Sequence, residues 1–167
     1  PLKILDFNMY GGLYREVNFI EKNNIYISNP SIADIEAGGG VFITFPTVNE
    51  KMSEVKIQTH VINEGENDKG ARIKHVIKKG NDIVEEVTAD IILRKGKQGN
   101  TWCYTVEMDS PALWSPDSPT LYTLETTIYD EDGMVMDRNT ERFGIRKFEF
   151  KDNQLYINGK KTYLRGV

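Results

Sequence analysis

Apolar residues in this chain recur at every second position, in short runs cut off by turn residues. That period fits strands with one face buried and one face wet. In the clearest run, Val55, Ile57, Thr59 and Val61 alternate with Glu54, Lys56, Gln58 and His60. Upstream, Val41, Phe42, Ile43, Thr44 and Phe45 follow a Gly38-Gly39-Gly40 breaker. Downstream, a polar stretch from Gly65 to Gly70 reads as a turn, after which Ala71, Ile73, His75 and Ile77 alternate with Arg72, Lys74 and Lys78. Lys79-Gly80-Asn81-Asp82 turns the chain into another extended run over 83–93. Trp102, Tyr104, Val106 and Met108 share one side with Cys103 and Thr105 on the other, and Tyr122, Leu124, Thr126 and Ile128 form a further face. Asp130-Glu131-Asp132-Gly133 is a hairpin signal, and 134–150 is expected to return as one long strand.

No convincing amphipathic helix stands out. About seven short strands between Gly38 and Phe150, separated by turn signals, predict an all-β fold: an immunoglobulin-like antiparallel β-sandwich with short flanking β segments. The likeness is architectural, because Cys103 is the single cysteine and the Cys…Trp…Cys spacing of antibody domains is missing. The flanks read differently. Residues 1–28 hold two short extended runs, 15–20 and 24–28, and 30–40 reads as a linker into a sandwich domain over 29–150. Residues 151–167 read as a hairpin, 154–157 with 161–164, joined at Asn158-Gly159. Asn-Gly is the preferred pair for a type I′ turn, whose two central residues both need φ > 0.

The mix of 39% hydrophobic and 28% charged residues is that of a globular chain. A net charge of -4 with scattered Lys and Arg gives no footprint for nucleic acid. No apolar run approaches the roughly 18 residues of a membrane span. The chain starts at Pro1 without a leader-like segment and breaks off in the apolar run Thr162-Tyr163-Leu164-Arg165-Gly166-Val167, so a piece of a longer protein is expected. The compartment stays open.

Residue types that do chemistry are sparse in pattern. There is no nucleophile elbow, phosphate loop or zinc-protease motif. His60 falls on a wet face and reads as solvated; His75 falls on an apolar face and reads as core. The run Asp130, Glu131 and Asp132 lacks the twelve-position ligand spacing of a calcium loop and reads as a solvated hairpin tip. Trp102 offers a ring on which a sugar could stack, but its strand phase is that of a core residue. Trp114 lies in Leu113-Trp114-Ser115-Pro116-Asp117-Ser118-Pro119, where two prolines forbid a regular ladder, so a rigid corner is expected there, the indole covering an end of the core. No catalytic residue, metal site or cofactor is assigned within the chain.

LWSPDSPTLYTL (113–124), FGIRKFEF (143–150) and LYINGKKTYLRGV (155–167), together with DFNMYGGLYREV (6–17), resemble glycoside hydrolase family 2, which includes β-galactosidases, β-glucuronidases and β-mannosidases. The four motifs occur in the family's order; residues 50–100 carry only the strand pattern. The resemblance implies that this is the immunoglobulin-like second domain of such an enzyme. Its partners would be a sugar-binding jelly roll, of which 1–28 would be the tail, and a catalytic TIM barrel, to which 151–167 would lead. The two catalytic glutamates would lie in that barrel, so this chain alone should be inactive. The resemblance also implies substrate-binding roles for Asp6, at the edge of the first domain, where a carboxylate can accept sugar hydroxyls or help hold a cation, and for Arg165, at the barrel mouth. Arg15 and Arg146 fit family motifs as structural residues. The Arg165-Gly166-Val167 ending leans toward β-galactosides. Exposed strand edges would allow association into a homo-oligomer. Read without the resemblance, the same strands would also suit a carbohydrate-binding or fibronectin-type adhesion module standing alone.

Overall fold

The computed structural model describes Gly12 and residues 15–163. Its first sheet centres on β3 (Met52–Asn63), paired along one edge with β6 (Gly96–Asp109). Along the other edge lie β1 (Ile25–Ile27), opposite 61–63, and β2 (Val41–Thr44), opposite 56–59, end to end. The second sheet has the order β5 (Asp82–Leu93), β4 (Lys69–Lys79), β7 (Tyr122–Asp130), β8 (Val135–Phe143). A third, small sheet is built from β9 (Phe148–Lys151), β10 (Gln154–Ile157) and β11 (Lys160–Thr162). Every pairing is antiparallel. The fold is therefore the all-β sandwich that the alternation predicts.

Local chemistry explains the turns. Gly80 has φ 61 at the first central position of the two-residue loop between β4 and β5, as a type II′ turn requires. The β10–β11 loop has φ 51 at Asn158 and 77 at Gly159, the signs expected for type I′. A second such turn escaped the sequence reading: Asp152 and Asn153, at φ 51 and 57, join β9 to β10. The single helix among the described residues, α1 (Pro30–Ala33), is one turn long; its N-cap Asn29 accepts the Ser31 N–H at 2.9 Å.

Three expectations shift. The run 134–150 is not one strand: β8 ends at Phe143 in the second sheet, and β9 starts at Phe148 in the third. The third sheet thus begins inside the range assigned to the sandwich. Residues 15–20 form no strand, whereas the run 24–28, set apart with the N-terminal flank, supplies β1 to the sandwich itself. Ile25 and Ile27 are buried in its core.

That core is divided. Ile57, Ile77 and Leu124 belong to one apolar cluster, with Val55, Val106, Met108, Tyr122, Phe143 and Ile145. Val61, Ile73 and Ile128 belong to a second, with Ile25, Ile27, Ala71 and Leu93. Between them, on the same inward faces, stand the polar residues Thr59, His75 and Thr126, each fully or almost fully buried.

Candidate functional site

Asp6 and Arg165, the two residues offered for substrate contact, lie outside the described residues. Among the described residues no group of three or more His, Cys, Asp or Glu could hold a metal ion. Several carboxylates are taken up in ion pairs on the outer face of the second sheet: Asp90 with Arg72, Glu86 with Lys74 and Glu125 with Lys78, at 2.8, 2.8 and 2.7 Å. The hydrogen bond from Lys74 to Glu86 holds that ammonium above its ordinary pKa, against the opposing effect of burial. Desolvation, reinforced by Glu85, raises the Tyr104 hydroxyl in the same sense.

The histidines separate. His75 is core, as its strand phase predicts: its Nε2 lies 2.9 Å from the Thr59 hydroxyl of the opposite sheet. Burial lowers its pKa to about 4, so the ring is neutral at ordinary pH. His60 corrects the sequence reading, since it is 3% exposed rather than solvated. It occupies the point on β3 where β1 ends and β2 begins, donating its main-chain N–H to the Gly40 carbonyl and accepting that of Ser28. The excursion through α1 leaves and returns over its ring, and the β6 edge closes the other side. Nε2 meets the Gln98 carbonyl at 2.8 Å; a carbonyl can only accept, so Nε2 is the donor. Nδ1 lies 2.7 Å from the Ser28 hydroxyl, whose oxygen takes the Gly40 N–H at 2.8 Å. Alternation marks which face of a strand a residue occupies; it does not reveal that a loop covers that face.

Trp102 is half-buried, with its ring nearly parallel to Tyr104 (6°, centroids 5.8 Å apart) and 5.0 Å from His75. The ring packs against the second apolar cluster, in keeping with its strand phase. The tip after β7 is a turn held by its own Asp130, whose Oδ1 accepts the N–H groups of Asp132 and Met134. The thiol of Cys103 is exposed.

The most organised polar assembly joins the sandwich to the third sheet, at the proline corner. The Trp114 N–H donates to the Ile145 carbonyl at 2.9 Å, and the Trp114 carbonyl accepts from Asn158 Nδ2 at 2.9 Å. Asn158 Oδ1 takes the Lys147 N–H, also at 2.9 Å. The Arg146 guanidinium lies 4.9 Å from the Trp114 ring centroid and 5.5 Å from that of Phe148, with Nη1 donating to the Gly144 carbonyl. Gly144 makes the approach possible: a Cβ there would stand 2.8 Å from Trp114 Cβ and Cγ. This close passage falls between the end of β8 at Phe143 and the start of β9 at Phe148. Tyr122 completes the corner, its hydroxyl accepting the Ala112 N–H at 2.9 Å. Trp114 and Arg146 meet at this junction, where the indole packs against Gly144 and the guanidinium and is part of neither core cluster, and Phe148 and Phe150 stand exposed on the sheet beyond it.

The family model for glycosyl hydrolases family 2 matches residues 34–146, the sandwich from just before β2 up to the arginine of this corner. The chain belongs to glycosyl hydrolases family 2. A β-galactosidase of Thermoanaerobacter pseudethanolicus is 28% identical over 98% of this chain and 20% of that protein. A β-glucuronidase of Formosa agariphila is 25% identical over 94% of this chain and 16% of that protein. Among solved structures, β-glucuronidase 2 of Bacteroides uniformis, covalently bound to a cyclophellitol-6-carboxylate aziridine, superposes with a TM-score of 0.71 at 26% identity, over 86% of this chain and 17% of that one. The chain therefore spans about a fifth or less of the length of the family 2 relatives it matches.

Proposed function

We propose that this chain is the spacer domain of a retaining β-glycosidase, set between a jelly-roll sugar-binding domain and a catalytic TIM barrel, and that the complete protein removes terminal β-galactosides. The domain's own role is mechanical: it holds its neighbours in place and takes no part in bond breaking. The observation that carries this reading is the corner where Trp114, Arg146 and Asn158 tie the third sheet to the sandwich, because a joint held by a guanidinium set against two rings and by three main-chain-directed hydrogen bonds transmits position rather than motion. The names of the relatives supply the reaction class.

Retaining glycoside hydrolysis needs one carboxyl group as acid and base and a second as nucleophile, about 5–5.5 Å apart. On this reading both belong to the barrel. Arg165 then holds the nucleophile ionised and oriented, since a guanidinium stays charged and presents a fork of donors. Asp6 reaches the sugar subsite from the other flank, accepting substrate hydroxyls or helping to hold a cation.

The test is an assay of the complete protein beside residues 1–167 alone, with nitrophenyl β-galactoside and nitrophenyl β-glucuronide. Hydrolysis of the galactoside by the complete protein and a blank rate from the isolated chain are expected. A complete protein that prefers the glucuronide would replace the substrate and keep the domain's role. Turnover by the isolated chain would overturn both.

A further inference from the structure

His75, Thr126 and Asn139 are consecutive partners across three adjacent strands: His75 of β4 faces Thr126 of β7, which faces Asn139 of β8. Each carries a buried polar atom without a hydrogen-bond partner, namely His75 Nδ1, Thr126 Oγ1 and Asn139 Oδ1. Three such atoms in one register row, between two apolar clusters, form one feature of the fold. The row continues to the opposite sheet through the bond between His75 Nε2 and the Thr59 hydroxyl.

We infer that this row is an internal hydration site: ordered water bridges His75 Nδ1 to Thr126 Oγ1 and Thr126 Oγ1 to Asn139 Oδ1. Neighbouring strands stand about 4.8 Å apart, a separation that one water spans with two ordinary hydrogen bonds. The chemistry of the lining suits water and argues against an ion. The imidazole, hydroxyl and amide are neutral groups that between them can donate and accept, and no carboxylate belongs to the row. A buried water is held by two to four polar partners, which the central hydroxyl and its flanking groups provide. Left dry, each of these atoms would carry its full desolvation cost, with no gain from the apolar clusters on either side.

The test uses residues 1–167 in solution. Water-selective nuclear Overhauser spectroscopy should show a long-lived water beside the side-chain protons of Thr126 and Asn139. Thr126→Ser, which keeps the hydroxyl, should retain that signal, and Thr126→Val should lose it and lower the thermal midpoint. A wild-type chain with no slow water at these protons would overturn the inference whether or not the variants fold. So would a higher midpoint for Thr126→Val, because removing an unpartnered buried hydroxyl relieves a cost that a hydrated one does not bear.

Discussion

Asp137 of β8 accepts the main-chain N–H of Ile27 in β1 at 2.8 Å, so a carboxylate of one sheet completes the strand at the edge of the other. The same carboxylate receives Lys22 Nζ at 2.6 and 2.8 Å, and its side chain is 9% exposed. Asp137→Ala should cost about 1–3 kcal/mol, because it strands a main-chain donor at a half-buried edge. Lys22→Ala should cost under about 1 kcal/mol, since the ammonium keeps access to water. Urea denaturation of both variants checks the order, and a Lys22 variant as weak as the Asp137 one would place the stability in the ion pair instead.

Gly99 is held to glycine by His60. It has φ 68, and a Cβ there would stand 2.6 Å from His60 Cε1 and 2.9 Å from the Val61 carbonyl. Gly99→Ala should therefore lose roughly 2 kcal/mol or more, from backbone strain and overpacking together. His60→Ala should also destabilise, by leaving the Ser28 hydroxyl and the Gln98 carbonyl without their ring partner. The double variant should lose less than the sum, since removing the ring makes room for the methyl. Strict additivity in a double-mutant cycle would count against this contact.

His75 makes stability depend on pH. The unfolded imidazole titrates near 6.5 and the folded one near 4 because burial disfavours the charged ring. Between those values the unfolded chain holds the proton and the folded chain does not. Stability is thus fully present above pH 6.5 and falls as the pH is lowered toward 4, by about 3 kcal/mol over that window. Chemical denaturation at several pH values should show this slope, and His75→Leu should flatten it. An undiminished slope in that variant would assign the effect to another group.

Much of the sandwich was legible because strands with one buried face write their period into the sequence. β3, β4 and β7 lie where the alternation puts them, β6 begins at Gly96, ahead of the run read from Trp102, and Asn158-Gly159 forms its turn because few other pairs accept two positive φ values. β8 and β9 read as one strand because nothing in the run 134–150 shows that Gly144 must pass against Trp114, a residue 30 positions earlier. The core position of His75 followed from its phase, whereas the burial of His60 depends on Ser28, Gly40 and Gln98, brought over it by three separate segments. Of the candidate site, the sequence supplied the proline corner and Arg146, but neither the stacking of that guanidinium nor the part played by Asn158.

By itself the sequence determined the period, the turns and the family, because these rest on the backbone's own geometry and on motifs contiguous in the chain. Tertiary structure alone decided the company each residue keeps: which polar groups meet as the row Thr59, His75, Thr126 and Asn139, and which carboxylate closes β1. Hydrogen bonds and steric limits act over a few ångströms in space, and the fold brings together groups that the chain keeps as many as 115 residues apart, as at Asp137 and Lys22.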